Sequence, residues 1–251
     1  WAGGGGRPPG RIVFTGSQRS SDRGSTDGTE NLIAAVHWAA HGPTPTGENG
    51  DASVIIMHAG NDDGVCAVLP GCSTRKFHSS KRDAFQGINA QPIGTISVGR
   101  GGECEIQVEV KAPTREVATE PIAFDEGKRI LQLVAGSHMY ADQIELATNY
   151  DAILFHGTGL GHLPIEDPNG DSPENVAMRQ AVADYCANGG VAVMVTQCIH
   201  GPIHMDVYSK GREQQDLGVL GNHATTSPDA ALVKLHFLLS TGQDVQSGWG
   251  A

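Results

Sequence analysis

Five short apolar runs, rich in β-branched residues, set the frame of this chain. They are RIVFT at 11–15, SVIIMH at 53–58, ILQLVA at 130–135, DAILFHG at 151–157 and VAVMVTQ at 191–197. Each is bounded by glycine, proline or polar turn residues, as a strand buried on both faces should be. Segments of helical period lie between them. One runs from Thr26 or Asp27 to His41, with Leu32, Ile33, Val36, Ala39 and Ala40 on one face. A second covers SHMYADQIELATNY. A third follows Ser172 as cap and Pro173 in the first turn, turns Val176, Ala181, Val182, Tyr185 and Cys186 inward, and stops at Gly189–Gly190. A fourth, SPDAALVKLHFLL, has Ser227 as its cap. Strands alternating with helices predict an α/β fold of parallel sheets with flanking helices. Ligands of such sheets sit beyond the carboxyl ends of the strands, here the loops 15–26, 58–76, 156–170 and 197–210.

The rhythm weakens in the middle. VCAVL and IGTIS are β-like, and 97–125 is charged and carries glycine and proline. That segment reads as a linker or a pair of exposed strands, and the domain boundary is placed there: 11–96 before it and 126–245 after it. Residues 1–10 read as a disordered lead, and both ends suggest a fragment. No apolar run reaches the roughly 18 residues of a membrane span, and no secretory signal is visible. The net charge of −11 is uneven: residues 1–100 hold 9 Lys and Arg against 8 Asp and Glu, residues 101–251 hold 8 against 20. An acidic half repels phosphate, so direct nucleic-acid binding is not expected. The 5 cysteines are odd in number and none has C-x-x-C spacing, which points to reduced thiols in a cytoplasmic protein.

The densest chemistry lies in GCSTRKFHSSKRDAF, 71–85. Arg75, Lys76, Lys81, Arg82 and the acid Asp83 stand among Ser73, Thr74, Ser79 and Ser80, which hydrogen-bond but build no core. On composition alone this is a solvated loop, with DAFQGIN behind it able to hold a helical turn. Lys76 among hydroxyls suits a base for a neighbouring hydroxyl nucleophile. GTGLGH (157–162) opens like a dinucleotide fingerprint, but His162 takes the third glycine position and no helix follows; a tight strand-end turn is the better reading. Cys198, His200 and His204 cluster after a strand, yet Gly201–Pro202 denies the two histidines a shared helical face, and no metal site is expected.

In combination these motifs carry a resemblance. FTGSQRSSDRGSTDGTENLIAAV (14–36), NDDGVCAVLPGCSTRKFHSSKRDAFQGIN (61–89), HGTGLGH (156–162) and TQCIHGPIHMDVYSKGR (196–212) resemble the asparaginase-like amidohydrolases. The RSSDR and RKFHSSKRDAF runs resemble the branch that forms the D-type subunit of archaeal glutamyl-tRNA(Gln) amidotransferases. The resemblance implies an asparaginase-like two-domain architecture with the first domain incomplete. It implies release of ammonia from glutamine or asparagine by a Thr nucleophile in a hydroxyl–Lys–Asp arrangement, with Lys76 on the catalytic Lys. His162 falls where relatives place a polar residue near a neighbouring subunit's site. A homodimer is implied, with a tRNA-binding partner subunit that uses ATP and Mg to convert Glu-tRNA(Gln) to Gln-tRNA(Gln). No cofactor is implied for this chain. The family's Thr-Gly-Gly-Thr turn and His-Gly-Thr-Asp-Thr loop do not occur here, and Gly24 follows RSSDR where the branch commonly has Pro. The chain as given is therefore expected to be an inactive fragment; the alternative parent is a free-standing cytosolic L-asparaginase.

Overall fold

The computed structural model describes residues 11–43, 53–109 and 123–249. They form two units, divided between Pro121 and Ile122.

In the first unit the chain makes strand β1 (Ile12–Thr15), helix α1 (Gly28–His41) and strand β2 (Ser53–His58). The strands pair in parallel, Val13 opposite Val54 and Thr15 opposite Ile56. β3 (Val65–Pro70) then pairs antiparallel with β2, Ile56 opposite Val68. The connection 59–64 is too short for the crossover that a parallel neighbour needs, so the chain returns as a hairpin. After β3 a short arm carries β4 (Thr74–Lys76) against β5 (Phe85–Gly87). β6 (Gly94–Val98) and β7 (Cys104–Val108) complete a sheet of order β1-β2-β3-β6-β7. This sheet is mixed, whereas parallel sheets were expected throughout. DAFQGIN contains strand β5 and not a helical turn.

α1 lies on the sheet with Asn31, Ala34, Ala35 and Trp38 buried. The expected face is wrong: Leu32 and Val36 are exposed, at 58% and 60%. Trp38 fills the core against Val54, Ile56, Cys66 and Ile96. The small Ala34 and Ala35 let the helix approach the sheet, and Asn31 enters because it is fully hydrogen-bonded. The segment 97–125, read as a linker or a pair of exposed strands, does contain a strand: β7 pairs with β6 and turns Cys104 and Ile106 to the core. Residues 110–122, the lead 1–10 and part of the 42–52 loop lie outside the described residues.

The second unit is a parallel sheet of β8 (Ile130–Val134), β9 (Ala152–Gly157) and β10 (Val191–Thr196), with β9 central. Successive residues of β9 face two different cores. Ile153 and Phe155 pack with Met178 and Val182 of α3 (Pro173–Ala187, after the short α2, Asp142–Glu145). Ala152 and Leu154 pack with Ala231, Leu235 and Leu238, which lie past α4 (Ser209–Asp216) on α5 (Pro228–Thr241). Coverage on both faces is why DAILFHG is apolar without alternation. A short α6 (Val245–Trp249) follows α5.

Local details depart from expectation. SHMYADQIELATNY holds only α2 and a 3-10 turn at Leu146–Asn149; Ala141 at the helix start offers no side-chain cap. Ser172 precedes α3 but its hydroxyl donates to Asp171 and caps nothing. Val176 is exposed, and Met178 takes the buried position. Ser227 does cap α5, accepting from the Ala230 N–H at 3.3 Å.

Candidate functional site

At the carboxyl ends of β1 and β2 the first unit holds a buried polar network. Asp27, at the entrance to α1, accepts the backbone N–H groups of Gln18 and Arg19, at 3.0 Å each. Burial pushes its carboxyl pKa up, but these bonds and the Asn31 amide more than offset that and hold it below the ordinary value. Asn31 donates both amide hydrogens, to Gly16 O at 2.9 Å and Asp27 Oδ2 at 3.0 Å. Its Oδ1 therefore accepts from His58 Nδ1, 2.6 Å away. In the neutral ring the proton therefore sits on Nδ1, and His58, at the end of β2, turns its Nε2 acceptor towards Arg82 Nη2 at 2.8 Å.

A competitor stands beside the same nitrogen. Glu30 Oε2 lies 2.9 Å from His58 Nε2 while accepting the Gly64 N–H at 2.8 Å. A proton on Nε2 would favour Glu30 and oppose Arg82. Burial first, and Arg82 next, hold the His58 pKa below its ordinary range; Glu30 pulls against them. Arg82 also donates to Asn61 O at 3.0 Å and pairs with Asp63 at 2.7 Å. Glu30, His58 and Asp63 have the composition of a cation site. The Arg82 guanidinium contacts His58 and Asp63 directly and supplies the cation itself. Cys66, buried beside this network, has its thiol pushed up to about 12 by burial.

Arg82 belongs to the arm that carries Lys76. Thr74 Oγ1 donates to Pro70 O at 2.6 Å, Phe77 N–H to Ala84 O at 2.7 Å, and Ile88 N–H to Ser73 O at 2.7 Å. His78 Nδ1 accepts the N–H groups of Ser80 and Lys81, at 3.1 Å each, and closes the tip. Lys76 is exposed at the end of β4, with Nζ 6.0 Å from the centroid of the Phe85 ring. The basic segment is thus a hairpin pinned to the end of β2 by a buried Arg82, not a free solvated loop.

His162 belongs to the second unit and has its own surroundings. Thr158 and His162 exchange backbone hydrogen bonds of 3.0 Å in a tight turn after β9. Gly161 there has φ +100, and a Cβ on it would lie 2.8 Å from Ile203 Cδ1. GTGLGH is therefore the strand-end turn that its glycines suggested. Buried Gln214 of α4 clamps it, accepting from Leu163 N–H at 2.7 Å and donating to Gly161 O at 2.8 Å. The His162 ring meets Tyr208 edge-on at 5.4 Å, and its Nε2 is buried without a partner among the described residues. Burial and then Lys210 lower its pKa, against Glu166.

Two family models match this chain: "Asparaginase, N-terminal" over residues 7–111 and "Glutaminase/Asparaginase C-terminal domain" over residues 129–247. The chain belongs to the asparaginase family. Among curated relatives, the D-type subunit of glutamyl-tRNA(Gln) amidotransferase from Thermoplasma acidophilum is 33% identical over 231 residues, covering 91% of this chain and 50% of that protein. The same subunit from Saccharolobus solfataricus is 34% identical over 239 residues, covering 94% and 49%. The chain spans about half the length of the curated relatives it matches. The thermostable L-asparaginase from Thermococcus kodakarensis superposes with a TM-score of 0.74 at 23% identity, covering 97% of this chain and 65% of that one. At that identity the likeness shows the asparaginase fold alone.

Sequence reasoning missed Asp27, Asn31 and His58 as members of a site, and took Arg82 for a solvated cation. Two signals were present. Asp27 and Asn31 are four apart at the start of a helix, and His58 ends an otherwise apolar strand.

Proposed function

We propose that this asparaginase-family chain is part of the amidase subunit of a tRNA-dependent amidotransferase. It takes part in releasing ammonia from the side-chain amide of glutamine. The observation that carries this reading is identity above 30%, along more than nine-tenths of the chain, to archaeal proteins named as glutamyl-tRNA(Gln) amidotransferase subunits of the D type. In the proposed reaction the amine of Lys76 takes the proton of a hydroxyl nucleophile. The freed oxygen attacks the amide carbonyl carbon, the C–N bond breaks, and ammonia leaves with the transferred proton. Water then hydrolyses the acyl-enzyme. The His58–Arg82 clamp supports Lys76 by holding its hairpin to the sheet. The ammonia is used by a tRNA-binding partner subunit with ATP and Mg, converting Glu-tRNA(Gln) to Gln-tRNA(Gln). A homodimer, and a role for His162 beside a neighbouring subunit's site, belong to the same proposal. Among the described residues no helix is long and apolar enough to cross a membrane.

Lys76→Met in the full-length gene product is the test. It keeps the aliphatic stem and removes the amine. Ammonia release from glutamine should fall by roughly two orders of magnitude or more, the size of a lost general base. Since Lys76 is exposed, the unfolding free energy from denaturant melts should change by less than about 1 kcal/mol. Near-normal ammonia release would remove Lys76 from the mechanism. Release from asparagine alone, indifferent to any tRNA-binding partner, would favour the free-standing L-asparaginase.

A further inference from the structure

The turns 203–206 and 221–224 of the second unit are laced together. Ile203 N–H donates to Ala224 O at 2.9 Å, His223 N–H to Ile203 O at 3.1 Å, and Met205 N–H to Asn222 Oδ1 at 2.8 Å. The lacing gathers three side chains that the sequence keeps apart. Asp206 Oδ2 lies 3.0 Å from His223 Nε2 and 3.9 Å from His204 Nδ1. All three ligand atoms fall within 4.8 Å of one another. We propose that His204 Nδ1, Asp206 Oδ2 and His223 Nε2 form a binding site for a divalent transition-metal ion of the zinc class, with water completing the shell.

Four observations carry this. The first is spacing. Ligands bonded at about 2.0–2.2 Å around a tetrahedral ion stand roughly 3.2–3.6 Å apart, and the observed 3.0 and 3.9 Å bracket that range. The second is the unmet nitrogen. His204 Nδ1 is buried at the atom level without a hydrogen-bond partner among the described residues. At 3.9 Å from the carboxylate it is too far for a hydrogen bond and well placed to share an ion. The third is the support of the carboxylate. Gln215 Nε2 and Asn222 Nδ2 donate to Asp206 Oδ1, at 3.0 and 2.8 Å, which orients Oδ2 towards the histidines. The fourth is backbone conformation. His223 sits at φ +65, a left-handed state that a non-glycine residue adopts at a cost.

The donor set sets the class. Two imidazoles and one carboxylate suit zinc, cobalt, nickel or iron(II), whereas magnesium and calcium call for oxygen alone. Two features oppose the ion and are weak. The Asn222 amide lies 3.3 Å from His223 Nε2, a long contact that an ion would displace. Arg212 is nearby, but its guanidinium donates to the Asp206 and Val207 carbonyls and not to the carboxylate. The Glu30–His58–Asp63 cluster differs here, because Arg82 already contacts two of its ligands. In the sequence alone nothing keeps His204 as a ligand, because Gly201–Pro202 separates it from His200 and no acidic or Cys partner has the spacing of a zinc site. The partners the structure supplies are Asp206 and, across a helix, His223.

The test is titration of untagged, chelator-stripped protein with Zn²⁺ and, separately, Co²⁺. One equivalent of Zn²⁺ should bind, and Co²⁺ should give visible d–d bands without thiolate-to-cobalt charge transfer. His223→Asn, which tolerates the left-handed backbone, and His204→Ala should each weaken binding at least a hundredfold. Both side chains are partly exposed, and an unchanged circular dichroism spectrum will show that the variants fold. Unchanged affinity in both variants would overturn the proposal. So would a thiolate charge-transfer band, which assigns the metal to an exposed cysteine, or loss of binding in His58→Gln instead.

Discussion

Arg82→Met isolates the clamp on which the Lys76 hairpin rests. Methionine keeps much of the aliphatic bulk and removes the guanidinium. Arg82 is 6% exposed, and its three partners are not equal. Asn61 and Asp63 are exposed and regain water when it goes. His58 is 1% exposed and cannot. Its Nε2 is left without a donor and with the Glu30 carboxylate 2.9 Å away. A buried acceptor stranded in this way costs about 1–3 kcal/mol, which we take as the expected loss at pH 8. Acid should relieve it, because a proton on Nε2 donates to Glu30. The sign follows from linkage. In the intact protein the folded His58 pKa lies below its ordinary 6.5, so the unfolded chain binds more protons in that window. Its stability therefore falls as pH drops through 6.5 towards the folded value. Without Arg82 the downward push from that charge is gone, the His58 pKa rises, and the acid-linked loss shrinks. The cost of Arg82→Met should thus fall from about 1–3 kcal/mol at pH 8 to below about 1 kcal/mol at pH 5.5. Urea midpoints at pH 5.5, 6.5 and 8.0 measure the cost, and NMR of the imidazole carbons measures the pKa. A cost that is the same at all three pH values, or a His58 pKa unmoved by the substitution, would refute the reasoning.

Other expectations follow from single geometries. Gly161→Ala should destabilise by about 1–3 kcal/mol, since alanine must hold a left-handed φ and its Cβ meets Ile203; a wild-type midpoint would show that the turn adapts. At pH 8 a thiol reagent should label exposed Cys72 and Cys198 quickly and spare Cys66, buried and pushed up to about 12, until denaturant is added; rapid native labelling of Cys66 in a peptide map would contradict its burial. Ser227→Ala should cost about 1 kcal/mol, the usual worth of an N-cap, read as a lower thermal midpoint of the second unit.

The central strands were legible because their burial is symmetric, whereas β1 and β8 leave Phe14 and Val134 exposed. Where helices cover both faces, as on β9 and β10, every position wants an apolar side chain and the run announces itself. α1 was misread for a related reason. Its apolar residues Leu32 and Val36 are exposed, while the small Ala34 and Ala35 face the sheet with Asn31 and Trp38. Hydrophobic periodicity ranks side chains by polarity. Close packing ranks them by size, and hydrogen bonding lets an amide enter the core. A pattern drawn from polarity alone therefore chose the wrong stripe. The β2–β3 turn was a matter of length: the short link at 59–64 implied antiparallel pairing, and only its spacing carried that information.

The site was less legible than the fold, and the reason is physical. A cation is classed as surface by default because burying a charge alone is costly. Arg82 escapes that rule through partners far along the chain: His58, Asn61 and Asp63 come from the end of β2 and the loop behind it, and His58 is in turn fixed by Asn31 of α1. None of these pairs has a recognisable spacing, so no local pattern distinguishes Arg82 from Lys81 beside it. The fold makes the distinction by bringing the hairpin tip to the end of β2, where a neutral imidazole offers an acceptor. Lys76 was singled out by family likeness, and it stands exposed at the end of β4. What the structure adds is why that strand stays in place: its hairpin is held by a charge whose burial depends on the unprotonated state of His58. Acidification that protonates His58 should loosen the arm carrying Lys76 before it melts the sheet. The catalytic reading of Lys76 and the stability reading of Arg82 are therefore coupled through one imidazole nitrogen.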